Sequence, residues 1–227
     1  LARSYNEAAA RREELLRSHK MLLANCSHEL RTPLARIRLG IERLSAHAEP
    51  ALQEELKRSI AELDMLVGEM LLASRLDALQ KIERSELVDL LALTAEEAAH
   101  FDCEVEGESV TVRGDATLLR RMVRNLLENA RRHAGGATRI AVARAPDGAG
   151  VLSIEDRGPG VREPEWEKIF EPFYSSPSSG GGRGTGLGLS IVRQIARAHG
   201  GNVSYAERPE GGSRFTVTLP ADPEHLS

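Results

Sequence analysis

Ser27-His28-Glu29-Leu30-Arg31-Thr32-Pro33-Leu34 is the stretch on which the reading of this chain turns. It lies inside a long helical pattern. Apolar residues recur at Leu23, Cys26, Leu30, Leu34, Ile37, Ile41 and Leu44, in steps of three and four that mark a coiled-coil seam. At about 100° per residue, His28 stands far around the helix from Cys26 and Leu30. With the seam buried, the imidazole faces outward, within reach of a reagent. A lone histidine on a helix is most often an idle surface residue. Two neighbours lift this one above that reading. Glu29 supplies a carboxylate able to orient the ring or take its proton. Pro33 cannot donate to the carbonyl of Glu29 and strains the helix there. A proline inside a helix costs about 3 kcal/mol, and a bend beside a reactive residue is a reason for accepting it.

Composition bounds the rest. With 227 residues there is room for one large domain or two small ones. Hydrophobic residues at 41% and charged residues at 28% describe an ordinary soluble globular chain. A net charge of -4 leaves no basic excess for a general nucleic-acid binder. Cys26 and Cys103 lack metal-ligand spacing and read as reduced structural thiols. No apolar run approaches the roughly 20 residues of a membrane span. No signal peptide is visible and the first residue is Leu1, so an excised soluble portion is expected.

Residues 1–20, rich in Ala, Arg, Glu and Leu, form a helical lead-in, either a solvated extension or a signal-relaying coiled coil. The helix carrying His28 should end near Leu44, with a break over Ser45–Pro50. A second helix follows over Ala51–Ile82, with a seam of Leu52, Leu56, Leu63, Leu66 and Met70 flanked by Ile60 and Val67. Two amphipathic helices joined by a short loop leave a wide apolar face. Pairing two copies into a four-helix bundle would cover it, so a homodimer is expected, unless the second domain does so instead.

From about Glu86 the pattern changes to short strands between helices, the signature of an α/β sandwich. Strands are expected at Glu86–Asp89, Val110–Arg113, Arg139–Ala145, Val151–Glu155, Asn202–Ala206 and Arg214–Leu219, and helices at Leu91–His100, Ala116–His133 and Leu187–His199. Pro146-Asp147-Gly148 should turn a hairpin, and Asp115 should cap the middle helix. The organisation is thus 1–20 lead-in, 21–84 helical hairpin and 85–227 sandwich.

On the middle helix, Asn125, Asn129 and Arg132 fall on one face. Amide oxygens suit Mg²⁺, and a guanidinium grips phosphate as a fork. The same face could equally be the polar side of an amphipathic helix. Asp156-Arg157-Gly158-Pro159-Gly160 follows a strand; Asp156 can accept from the exocyclic amine of adenine, and Gly158 and Gly160 permit close backbone approach. A plain strand-ending turn would use the same residues. Gly182-Arg183-Gly184-Thr185-Gly186-Leu187-Gly188-Leu189 opens directly into an apolar helix, which aims free N–H groups at an anion. It is not a P-loop, because no Gly-Lys-Ser/Thr closes it. The Ser-, Pro- and Gly-rich run from Tyr174 to Gly182 reads as a lid over nucleotide or a simple connector.

Together these stretches resemble the phosphoacceptor box and the four nucleotide-binding boxes of sensor histidine kinases of two-component systems. The resemblance implies a dimeric helical bundle followed by a gyrase-type ATP-binding sandwich. It implies ATP with Mg²⁺, phosphorylation of His28, and transfer to an aspartate of a response regulator. Glu29 would take the proton, and Thr32 would serve dephosphorylation of the partner. Asn125 and Asn129 would hold Mg²⁺, Asp156 would read adenine with Gly158 and Gly160 beside it, and Arg132 would touch phosphate. The backbone through Arg183, Gly184, Thr185, Gly186, Leu187 and Gly188 would wrap the phosphates. His133 stands where many members carry Tyr, and Arg132 where many carry Lys. The resemblance also implies a membrane-anchored sensor upstream, this chain being the cytoplasmic portion of a bacterial inner-membrane protein. In hydrolytic relatives a water-activating Glu stands four residues before the Asn; here that place is Asn125. Two other readings stay open: a dimeric clamp ATPase, for which Glu128 is the near carboxylate, and a nucleotide-binding scaffold without catalysis.

Overall fold

Pro50 opens the first helix of the described chain. Proline at a first helical position sacrifices only an N–H that has no partner in any case. In the computed structural model, residues 50–78, 85–174 and 186–221 are described, and the chain divides after Ala78 into two compact units. The expected helix carrying His28 lies outside the described residues.

In the first unit, α1 spans Pro50–Ala78. Ile60 and Leu76 are buried, and so is Glu69. Leu63 and Met70 of the expected apolar seam are 46% and 42% exposed. They stand seven residues apart, two helical turns, and so share a stripe. The apolar surface of α1 is wider than one chain's own packing covers.

The second unit is built on a sheet ordered β2-β4-β5-β7-β6 (Glu106–Gly107, Ala137–Arg144, Gly150–Asp156, Ser213–Leu219, Asn202–Glu207), with β1 (Glu86–Asp89) and β3 (Thr111–Gly114) forming a separate pair. All large-sheet pairings are antiparallel except β2 with β4. Its helices are α2 (Leu90–Ala99), α3 (Ala116–Ala134) and α4 (Gly188–Ala198). Along β7 burial alternates strictly: Ser213, Phe215, Val217 and Leu219 are buried and the residues between them half-exposed. That is the period of a strand with one face on the core. The core joins Leu119, Met122, Leu126 and Leu127 of α3 to Ile191 and Ile195 of α4 and Leu152 and Ile154 of β5, all fully buried. Each such side chain contributes roughly 1.5–3 kcal/mol.

The β4–β5 hairpin turns where Pro146-Asp147-Gly148 predicts it. Ala145 N–H donates to the Ala149 carbonyl at 2.8 Å, and Gly148 takes the left-handed φ of 87° that the turn requires. The six expected strands and three expected helices all form, with ends shifted by one or two residues. The two-residue β2 and the 3₁₀ turns at Glu163–Glu165 and Lys168–Phe170 are too short to carry a period and were not legible.

Candidate nucleotide-binding site

Helix α3 is fixed at both ends. Asp115 Oδ1 accepts from Thr117 N at 2.9 Å and Leu118 N at 3.1 Å, and Gly135 closes the other end with φ of 76°. This sets the rotation of the helix. Asn125 is buried, Asn129 half-buried and Arg132 exposed, so the row runs from the interior to solvent. Asn125 Nδ2 donates to the carbonyl of Gly188, the first residue of α4, at 3.2 Å. The middle helix and the start of the glycine-led helix are thereby stitched together.

The start of α4 is built unlike the other two. Asp89 caps α2 through Ala92 N at 2.9 Å, and the N–H of Ala92 and then the hydroxyl of Ser109 hold that carboxyl below its usual pKa. At α4 the N-cap position is Leu187, with no side-chain cap bond. Ser190, in the first turn, bends back to donate to the Leu187 carbonyl at 2.8 Å. Neither Leu187 nor Ser190 puts a side chain on the first-turn N–H groups of α4, and the helix dipole points its positive end the same way. Gly186 has φ of 70°, and a Cβ there would stand 2.7 Å from the backbone of Phe173. Phe173 N–H donates to the Gly186 carbonyl at 2.9 Å, tying the start of α4 to the segment after the 3₁₀ turns.

Asp156 ends β5 and is 2% exposed. Its Oδ1 accepts from Gly158 N at 2.8 Å and from Ser213 N at 3.2 Å. A Cβ on Gly158 would lie 3.1 Å from the His133 carbonyl and 3.3 Å from Ala134 Cβ, so this glycine lets the loop close on the end of α3. His133 is half-buried; burial, then the charge of Arg132, lowers its pKa, and Asp156 opposes them. Gly160 has φ of 70°, and the next N–H, Val161, donates to Tyr205 Oη at 2.8 Å. Trp166 Nε1–H donates to the Val161 carbonyl at 2.8 Å.

The structure thus brings Asn125 to Gly188, the first residue of the helix that Gly186 and Leu187 lead into, and His133 to Asp156 and Gly158. His28, Glu29, Thr32, Arg183, Gly184 and Thr185 lie outside the described residues, as does the expected lid beyond Tyr174. Sequence reasoning missed the supports. His199 at the end of α4 donates from Nδ1 to Ile195 O at 2.7 Å and accepts at Nε2 from Asp115 N at 3.1 Å, which requires the neutral ring. It bridges the ends of α3 and α4. Glu155 and Arg208, beside Asp156, were also missed; only the Gly211-Gly212 turn hinted at that hairpin.

Comparison with known proteins agrees with this arrangement. The family model for the His Kinase A (phospho-acceptor) domain matches residues 18–79. The model for the histidine kinase-, DNA gyrase B- and HSP90-like ATPase matches residues 114–223. Sensor histidine kinase GtrS of Pseudomonas aeruginosa is 39% identical over 97% of this chain and 46% of its own length. Sensor protein RstB of Escherichia coli is 34% identical over 96% of this chain and 52% of its own. The chain therefore spans about half the length of these curated relatives. Among solved structures, the histidine kinase AdeS of Acinetobacter baumannii superposes with a TM-score of 0.64 at 25% identity, over 86% of this chain and 98% of that one. A mycobacterial sensor histidine kinase, MprB, is 30% identical over 62% of this chain and 99% of that one, with a TM-score of 0.53. By its two domain matches, their order and its relatives along nearly its full length, the chain belongs to the two-component sensor histidine kinase family, a phosphoacceptor helical domain followed by an α/β ATP-binding domain.

Proposed function

We propose that the chain is an ATP-dependent protein-histidine kinase that phosphorylates its own His28 and passes the phosphoryl group to an aspartate of a response regulator. The domains serving this are residues 21–84 and 85–227, with 1–20 as lead-in. The observation that supports it most is the Asn125–Gly188 bond, which puts an amide beside an uncapped helix start. Triphosphate oxygens are acceptors only and match those N–H groups, with Arg183, Gly184 and Thr185 continuing the cradle. Asp156 uses Oδ1 for the backbone, so Oδ2 is the oxygen for the adenine amine.

The donor set suits Mg²⁺. With Nδ2 of Asn125 spent on Gly188, its amide oxygen is turned to acceptor duty, and Asn129 lies one turn on. These two would hold the ion, which when bound offsets phosphate charge. A solved relative, full-length ShkA, was crystallised in complex with AMPPNP, and 88% of this chain superposes on it with a TM-score of 0.66. That likeness extends the nucleotide reading to this site.

In the reaction an unprotonated ring nitrogen of His28 bonds to the γ-phosphorus while the bridging P–O bond breaks and ADP leaves. Glu29 takes the proton of the other ring nitrogen. Arg132 and the α4 N–H groups hold the charge of the transferring group. Thr32, four residues from His28 in the sequence, serves the dephosphorylation of the regulator. The exposed Leu63 and Met70 support a homodimer through the helical domain. We read the whole protein as a membrane-anchored sensor with this chain in the cytoplasm.

Incubation with [γ-³²P]ATP followed by acid or alkali tests this reading. An acid-labile, alkali-stable phosphoprotein is expected. Free phosphate alone would mean an ATPase, and neither product would mean a scaffold.

A further inference from the structure

Two carboxylates stand side by side at the end of β5, and both are buried: Glu155 is 4% exposed and Asp156 2%. Glu155 is neutralised by two guanidinium groups, Arg208 Nε at 2.9 Å from Oε2 and Arg214 Nε at 2.7 Å from Oε1. The two arginines differ in what else they do. Arg214 is 43% exposed at its side chain, whereas Arg208 is 11% exposed and donates from Nη1 to the backbone carbonyl of Asp156 at 3.0 Å. The same Nη1 lies 3.4 Å from the Gly211 carbonyl, and Nη2 lies 3.6 Å from Glu210. The hairpin backbone then finishes the hold. Ser213 N donates to Asp156 Oδ1 at 3.2 Å, and a Cβ on Gly212 would stand only 2.1 Å from the Asp156 carbonyl.

From this geometry we infer that Arg208 is a positioning residue for base recognition: it locks the Asp156 peptide so that the Asp156 carboxylate meets the purine amine at one fixed angle. A guanidinium can do this because its planar fork serves Glu155 and the carbonyl at once. An ammonium can keep the charge opposite Glu155 but cannot hold both partners in one plane. The hairpin turn Arg208–Gly212 is thereby part of the base pocket, although no atom of Arg208 need touch the base.

The inference rests on Asp156 reading adenine, and one titration separates the two. Calorimetry of the full chain with ADP and with inosine diphosphate, whose base carries oxygen in place of the amine, gives a discrimination ratio. Wild type should favour ADP. Arg208→Lys should keep its fold by circular dichroism, lose about fivefold in ADP affinity and leave inosine diphosphate unchanged, the size of one misaligned hydrogen bond. Arg214→Lys, which disturbs Glu155 alone, should keep the wild-type ratio. If Arg208→Lys does not fold, the double variant Arg208→Met with Glu155→Gln, which removes the buried carboxylate with its buried partner and leaves only the 43% exposed Arg214 to be solvated, should show the same loss. A wild-type preference for ADP that survives both Arg208 variants overturns the positioning role and spares the nucleotide reading. Equal collapse in Arg214→Lys also overturns it. A wild type that binds neither nucleotide overturns both.

Discussion

Helices α3 and α4 lie side by side and begin in opposite ways. The start of α3 is closed: Asp115 takes two of its N–H groups, and His199 accepts from the N–H of Asp115 itself. At the start of α4, among the described residues, Leu187 offers no side-chain cap and Ser190 bonds away from the N–H groups. Capping is worth about 1 kcal/mol, so leaving it out has a cost that packing alone does not explain. A carboxylate cap would also fill the position, and the charge, that a phosphate would take. On the proposed reading, the difference separates a helix that only holds residues in place from one whose backbone itself meets the phosphates.

The largest effect should come from making α4 resemble α3. A Cβ added at Gly188 would meet nothing within 4 Å, so Gly188→Asp faces no steric obstacle. A carboxylate in the first turn favours the helix, so Tm should hold or rise. Nucleotide affinity should fall on the order of a hundredfold through like-charge repulsion close to the phosphates. Calorimetry beside a melting curve checks both halves; unchanged affinity would sever α4 from the site.

The reciprocal change is smaller. Asp115→Ala opens the start of α3 and should destabilise the second unit by about 1 kcal/mol, read by denaturant midpoint. Nucleotide affinity should stay as it was. A large loss of affinity would mean that the two helix starts are not separable.

The smallest effect is a pH slope. Burial holds His199 below its ordinary 6.5, with the Ile195 carbonyl and then Asp115 opposing. As pH falls through 6.5, the unfolded chain takes up a proton that the folded ring refuses. Unfolded then binds more protons than folded, so stability drops as pH falls below neutrality, until the lowered folded value is reached. His199→Gln should be less stable at pH 8 and show a shallower decline toward pH 5 than wild type. Equal slopes in urea titrations at both pH values would contradict the neutral bridge.

Much of this was legible in the residues, and the reasons are physical. Asp115 could be read as a cap because capping depends on neighbours two and three positions away. The glycine-led start of α4 could be read because its meaning is also local. Asp156 could be singled out by the glycines that follow it, but not what holds it or its neighbour Glu155. Both are acids on one strand, and their partners, Arg208 and Ser213, arrive on a hairpin more than fifty residues later. His199 was silent for the same reason, since its acceptor role is set by Asp115, 84 residues away. The seam of α1 could be read as apolar, but the exposure of Leu63 and Met70 could not, because a period finds an apolar face and does not say what covers it.

If the proposed nucleotide pocket serves His28, removing that imidazole in His28→Gln should separate binding from phosphorylation. Its ATP affinity, by calorimetry, should equal that of wild type, while no radioactivity from [γ-³²P]ATP should remain on the protein. Acid-labile label persisting on His28→Gln would contradict the account, because the acceptor would then be another residue.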